Sequence, residues 1–505
     1  MNRREFLKRI GTGAAAMAVP GWLSRATAQA AEPSGSRPNI VWIFSDDHSY
    51  QAIGAYGGRL QKLNPTPNID RIAREGMRFD RFYVANSICA PSRATLLTGT
   101  HSHLNGKRDN SGGFNHNQQT FPKLLRKIGY QTALIGKIHP DGSVQGFDCW
   151  DVLPGQGQYN DPVFISAQGK TTTSGYVTDI ITDKSLNWLR SGRDPHKPFM
   201  LMIHHKAPHR NWLPAACDMK RYEDVEIPEP DNLFDDYASR GVAVHGQDME
   251  IGRTMNLKSD LKVDGNTNGA FAARNKFMAK HKPEGKELVR WKYQQYMKDY
   301  LRCIWAVDES VGRVLNHLDK AGLAANTVVM YASDQGFYNG EHGWFDKRFM
   351  YEESFRTPFV AKWPGVIKPG SVNTDLAQNI DWAETFLAIA GAPIPADMQG
   401  SSLVPLMKGT TPADWRTSLY YHYYEYPAVH SVRKHEGVSD KRYKLIRFYG
   451  PDVPNGEEWE CYDLENDPYE MNNACSQPEY TTKILELKTE LKRLRAFYKV
   501  PKKEM

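Results

Sequence analysis

Residues 86–99, NSICAPSRATLLTG, place a cysteine two positions before a proline and follow it with Ser92, Arg93, Thr98 and Gly99. Taken alone, Cys89 reads as an inert thiol, since free cysteine packs as a small apolar side chain. Elsewhere in the chain, Asp46-Asp47 and Asp334-Gln335 offer three carboxylates and an amide oxygen, a donor set suited to a hard divalent cation. Lys137, His139, His209 and Lys347 are cationic or polarisable groups of the kind that meet an anion. Each has an ordinary reading by itself. Asp46-Asp47 can leave a strand or cap a helix, and Asp334-Gln335-Gly336 can be a turn. Their meaning depends on which elements carry them.

Four short β-branched and aromatic runs read as buried strands: residues 39–44 (NIVWIF), 132–135, 199–203 and 327–332 (TVVMYA). All four stop at polar clusters, which are Ser45-Asp46-Asp47-His48, Gly136-Lys137-Ile138-His139, the run HHKAPH at 204–209, and Ser333-Asp334-Gln335-Gly336. Helices are expected between them. One is capped by Thr66-Pro67, and a long one spans 287–321 with apolar residues near helical spacing and Gly322 as its stop. Strands alternating with helices predict an α/β fold, a mixed and mainly parallel sheet sandwiched by helices. Ligands bind such sheets beyond the carboxyl ends of the strands.

After Pro358 the pattern changes. A helix over 381–390 leads into Gly- and Pro-rich connections, short antiparallel strands at 419–426 and 443–449, and a closing helix over 481–498. The expected layout is a catalytic domain over 36–395 and a smaller C-terminal α+β subdomain over 396–505. Residues 217–284 are polar and rich in Gly, Asp and Asn, and are expected to run over the sheet.

The run at 86–99 resembles the C-x-P-S-R-x-x-x-x-T-G signature of the type I sulfatases of the alkaline-phosphatase superfamily. The resemblance implies that Cys89 is oxidised to formylglycine by a formylglycine-generating maturation enzyme. The aldehyde hydrates to a geminal diol, of which one hydroxyl attacks sulfur and the other allows sulfate to be expelled. It further implies that Asp46, Asp47, Asp334 and Gln335 hold Ca2+ together with an oxygen of residue 89. Gln335 replaces the more usual asparagine or histidine but keeps an amide oxygen. Lys137 and His139 match the family's K-x-H, His209 its P-H and Lys347 its substrate-side lysine, with Arg93 a fixed cation beside the nucleophile. In that scheme His209 or Lys347 protonates the leaving alcohol and His139 assists sulfate release.

The tail, YYHYYEYPAVHSVRKHEGV with RYKLIRFY and CYDLENDPYEMNN, is similar to the C-terminal subdomain of bacterial sulfatases of the N-acetylglucosamine-6-sulfatase and iduronate-2-sulfatase types. Trp212, His342 and Arg433, with Trp344, Tyr424 and His430, are accordingly assigned to a sugar site, the aromatics for stacking and Arg433 for a carboxylate or second sulfate. The expected activity is hydrolysis of a sulfate ester on a sulfated carbohydrate at an exposed sugar. A phosphonate or phosphate ester hydrolase of the same superfamily, and a glycan-binding protein without catalysis, stand as alternatives.

The chain ends bear on where this happens. Arg3-Arg4, a Gly/Ala-rich apolar run and Ala28-Gln29-Ala30 resemble a twin-arginine export signal over residues 1–30, with Asn2 where serine or threonine is more usual. The apolar run is shorter than the roughly 18 residues needed to span a bilayer, so no stable membrane insertion is expected. A periplasmic or secreted location follows. The signal carries +4 of the formal net charge of +6, which leaves the mature chain without the basic footprint of a nucleic-acid binder. Six cysteines are widely spaced and form no C-x-x-C pair.

Overall fold

The computed structural model describes residues 37–139 and 144–502, and the expected export signal lies outside them. The four predicted strands form as Asn39–Ser45, Gln131–Lys137, Phe199–His204 and Thr327–Ser333. They sit in the middle of a ten-stranded sheet, in the order Thr327–Ser333, Asn39–Ser45, Phe199–His204, Gln131–Lys137, with Cys149–Leu153 next. All of these neighbours pair in parallel. Antiparallel strands flank them: Phe359–Lys362 on one side and Val163–Ser166 with Gly169–Thr172 on the other.

Alternation along each strand divides the core into two layers. Val41, Ile43, Ile135, Leu201, Ile203 and Val329 face one cluster, where Ile304, Val307 and Val311 of the helix Gly285–Lys320 pack. Ile40, Trp42, Phe44, Leu134, Met200 and Met330 face the other, against Trp382 and Phe386 of the helix Trp382–Ile389. Burial on both faces is why these strands read as unbroken apolar runs rather than as alternating ones. Residues 217–284 contribute only short helices and turns, apart from the helix Ala272–His281.

Beyond residue 400, strands Leu419–Tyr423, His435–Ser439, Tyr443–Tyr449 and Glu457–Asp463 make an antiparallel sheet in chain order. One face of it packs on Tyr83, Val84, Ile88, Met350 and Phe355. The helix Thr481–Phe497 covers the other through Leu487, Leu491 and Leu494, whereas Leu485 is exposed.

Gly336, directly after the predicted ligand pair, lies where two backbone segments meet. A Cβ there would come within 2.1 Å of the Glu353 carbonyl oxygen and 2.3 Å of that of Arg356. Backbone cannot retreat as a side chain can, so Gly336→Ala is expected to cost roughly 3 kcal/mol by overpacking. Urea unfolding measures this, and a variant as stable as the parent would contradict the packing described.

Candidate active site

Ser45 pairs with Ser333 in register, so the residues that follow them, Asp46 and Asp334, emerge side by side from adjacent parallel strands. Asp47 then turns into the left-handed region at φ 65°, which a short polar side chain tolerates. Its N–H donates to Asp334 Oδ1 at 3.1 Å, and its carbonyl accepts from the Tyr300 hydroxyl at 2.7 Å. All three carboxylates are fully buried.

Cys89 is the first residue of the helix Cys89–Thr98, every residue of which is buried. The signature residues now have physical roles. Pro91 falls in the first turn, where a missing N–H leaves no helical bond unmade. Ser92 donates its hydroxyl to the Asp334 carbonyl. Gly99 closes the helix in the left-handed conformation at φ 65°, its N–H on the Thr95 carbonyl. Arg93 does most: Nε donates to Asp334 Oδ2 at 3.0 Å, one terminal nitrogen to Asp46 Oδ2 at 3.1 Å, and the other to the Lys137 carbonyl at 2.8 Å. Its guanidinium also lies over the Phe44 ring at 4.9 Å. Cys89 Sγ is thereby held 3.4 Å from Asp46 Oδ1 and 3.9 Å from the Gln335 amide nitrogen.

The basic groups converge on the same point. Lys137, at the end of its strand, places its ammonium on Asp46 and donates to the Gln156 side-chain oxygen. His139 faces the same Gln156, with Nε2 3.3 Å from the amide nitrogen. Lys347 donates to both Asp47 oxygens, at 2.7 and 2.8 Å, from a loop in which Asp346 and Arg348 both have positive φ. His209 has Nδ1 2.7 Å from the Arg210 carbonyl oxygen, so its other nitrogen, Nε2, faces Asp47 at 3.7 Å.

Burial raises the cost of every charge here, and the neighbours decide the outcome. Against burial, Lys137, with Arg93 and Lys347 behind it, holds the Asp46 carboxyl well below its usual range. Burial, with Asp46 next to it, pushes Asp334 up. Burial and then the Asp46 charge push the Cys89 thiol well up, so an unmodified thiol is a poor nucleophile in this position. Asp47 keeps Lys347 charged well above the lysine range despite burial. Burial and then Lys137 hold His139 and His209 well below the ordinary histidine value, which keeps both rings neutral.

The donor set fits a hard divalent cation. Oxygens of Asp46, Asp47 and Asp334 lie within 4.8 Å of one another. Gln335 donates its amide nitrogen to Asp47 Oδ1, and its Oε1 is buried with no hydrogen-bond partner, so an amide oxygen remains to join the set.

Trp212 and His342, assigned to a sugar site from the sequence, are buried instead. Trp212 is fully buried against Tyr296, Phe337 and Phe345, so it is core. His342 is equally buried, with Nδ1 2.7 Å from Asp235 Oδ2 and its ring packed on Trp344 and Tyr351. Arg433 donates to the backbone carbonyls of Val242 and Asp452. Trp344 is core as well, and His430 is buried on Asp346 and the Asp248 carbonyl, where it braces the Lys347 loop. Tyr424 stacks on His422 with ring centroids 3.8 Å apart.

Other residues enter that sequence reasoning passed over. Gln156 bridges Lys137 and His139 from a loop with no recognisable signal. Lys206, three residues before His209 in the same polar run, lines a cavity of about 450 Å3 with Gln156, Tyr159, His209 and Arg210. Asn110 accepts the Ala90 N–H beside Cys89, and its own N–H donates to Glu425, which also binds Arg348.

Comparison with known proteins places this geometry in context. A family model described as Sulfatase matches residues 38–392, and one described as N-sulphoglucosamine sulphohydrolase, C-terminal, matches residues 340–497. The chain is 48% identical over 493 residues to an N-acetylglucosamine-6-O-sulfatase of Bacteroides thetaiotaomicron, covering 92% of this chain and 87% of that one. It is 28% identical over 419 residues to the N-acetylglucosamine-6-sulfatase of Homo sapiens, covering 77% of this chain and 67% of the human one. A solved structure described in complex with its substrate D-glucosamine-2-N,6-O-disulfate superposes with a TM-score of 0.88 at 47% identity, covering 93% of this chain and 99% of that one.

Replacing Arg93 by methionine, of similar length, would leave two buried carboxylates opposed without their shared cation. Arg93→Met is expected to lose about 3–5 kcal/mol in denaturant unfolding. Unchanged stability would show that the guanidinium does not hold these strands together.

Proposed function

This chain belongs to the sulfatase family, and from that premise we propose that it removes the 6-O-sulfate of a glucosamine-type sugar with the help of calcium and a formylglycine formed from Cys89. The broader activity is hydrolysis of a sulfate ester on a sulfated sugar. The observation that carries the reading is the placing of Cys89 at the start of a buried helix, 3.4 Å from Asp46, inside a ring of carboxylates and basic side chains. A thiol so buried has no evident use of its own, whereas an oxygen nucleophile at that position would lie beside the cation set.

Asp46, Asp47, Asp334 and Gln335 would hold the calcium ion. Calcium supplies a Lewis acid, and formylglycine supplies a hydrated aldehyde with one hydroxyl for attack and a second for release. The rest falls to side chains present in the chain. Lys137 on Asp46 and Lys347 on Asp47 supply positive charge at the carboxylate cluster, preorganised for an anionic group. His139 is held neutral beside Gln156, ready to exchange a proton with the nucleophile side. His209 anchors Nδ1–H on the Arg210 carbonyl and presents Nε2 to the site; neutral by itself, the ring would take up a proton at Nε2 when an anionic sulfate binds beside it and pass that proton to the departing sugar oxygen. Export by the twin-arginine signal and maturation by a formylglycine-generating enzyme complete the proposal and place the enzyme in the periplasm or outside the cell.

Free-sulfate release from N-acetylglucosamine-6-sulfate tests the activity directly. The reading predicts release, and hydrolysis of aryl phosphate with no sulfate released from any sugar would contradict it. The role of His209 is visible in leaving-group dependence. His209→Ala is expected to lose about 100-fold or more in kcat on the sugar sulfate and far less on an aryl sulfate, whose phenolate needs little proton assistance. Equal losses on both would remove His209 from that role. Calcium added to metal-stripped protein should raise its melting midpoint, by about 2.7 kcal/mol of stability at a hundredfold excess over Kd. The shift should vanish in Asp334→Ala, and its persistence there would place the ion elsewhere.

A further inference from the structure

Lys206 differs from the other buried cations of the site. Arg93, Lys137 and Lys347 each sit on a carboxylate, and Arg210 is paired with Asp260 at 2.8 Å. The Lys206 ammonium, on a residue 4% exposed, makes no ion pair or hydrogen bond with a described residue, and Asp46 and Asp47 act on it only from a distance. It lies 4.8 Å from the face of the Tyr159 ring. A buried cation without a counter-ion is costly, and burial, with Lys137 adding to it, pushes the Lys206 pKa down to about 8. That cost falls at the wall of the 450 Å3 cavity that His209 shares.

The position ties Lys206 to the reaction. The His209 N–H donates to the Lys206 carbonyl at 3.0 Å, and the Tyr159 hydroxyl donates to the His209 carbonyl at 2.6 Å. Lys206, Tyr159 and His209 are therefore one rigid unit, with His209 turned to the carboxylate cluster and Lys206 to the adjoining cavity. A sugar whose reacting sulfate lies among Lys137, His139, His209 and Lys347 has its ring next to this cavity. We propose that Lys206 binds a second, non-reacting sulfate on the same sugar and so sets a preference for disulfated over monosulfated substrates. This rests on the sugar-sulfatase reading above. An incoming sulfate gives the ammonium its missing partner, and charge-assisted hydrogen bonds of this kind are about twice as strong as neutral ones.

The test compares N-acetylglucosamine-6-sulfate with glucosamine-N,6-disulfate on the parent enzyme, Lys206→Met and Lys206→Arg. The parent should favour the disulfated sugar. Lys206→Met should lose about tenfold or more in kcat/KM on it, through KM, while changing less than about threefold on the monosulfated sugar. Lys206→Arg should retain most of the preference. Because an unpaired buried charge is removed, the melting midpoint of Lys206→Met should not fall, so a folding defect is distinguishable from lost recognition. Equal changes on both sugars, or none on either, would overturn the proposal. Should the parent release no sulfate from either sugar, the functional reading fails by itself. Calorimetric binding of glucosamine-N,6-disulfate then decides this one: affinity lost in Lys206→Met supports it and affinity kept overturns it.

Discussion

Asp46 and Asp334 leave adjacent parallel strands side by side in a volume closed to water, and two carboxylates so placed repel each other with little screening. The Arg93 guanidinium between them, bonded to both and to the Lys137 carbonyl, makes the arrangement tolerable. It reaches in from the helix that Cys89 begins. One side chain therefore couples three strand ends to the helix and fixes the distance from residue 89 to the carboxylates. Lys137 on Asp46 and Lys347 on Asp47 extend the same balance, so that three cations answer three buried acids. A site of this kind is rigid because any displacement uncovers a charge.

The supports reach well beyond the large sheet. The Tyr421 hydroxyl accepts the Ser87 N–H at 3.2 Å and donates to the Arg348 carbonyl, so a strand of the C-terminal sheet touches both the loop that leads to Cys89 and the Lys347 loop. Glu425 repeats the connection through Asn110 on one side and Arg348 on the other. Residues 346 and 348, held at positive φ, are stabilised by His430, Tyr423 and Glu425. The second sheet thus acts on the chemistry by holding the backbone of Lys347 in a conformation it would not otherwise keep.

Much of this was readable in the chain because burial on both faces makes a central strand a continuous apolar run, and the run must end where the polar site begins. NIVWIF before Asp46 and TVVMYA before Asp334 mark the carboxyl edge for that reason. The sugar-site assignments had no such constraint. Trp212 and His342 are aromatic or imidazole side chains in loops, and residue type alone does not separate a stacking face from a core plug; only packing against Tyr296 or pairing with Asp235 does. Gln156, Asn110 and Glu425 were illegible for a different reason. Asn110 and Glu425 matter through partners far away in sequence, and Gln156 through Lys137 and His139 across an intervening loop; no local pattern records either.

The central claim is that Cys89 is the precursor of an oxygen nucleophile held by this charge network. Peptide mass spectrometry of residue 89, on protein made with and without a formylglycine-generating enzyme, tests it most directly when run beside sulfate release on the same preparations. The cysteine CH2SH should be replaced by CHO, and the rate of sulfate release should rise in proportion to the fraction converted. Full activity in a preparation whose residue 89 is entirely cysteine would contradict it.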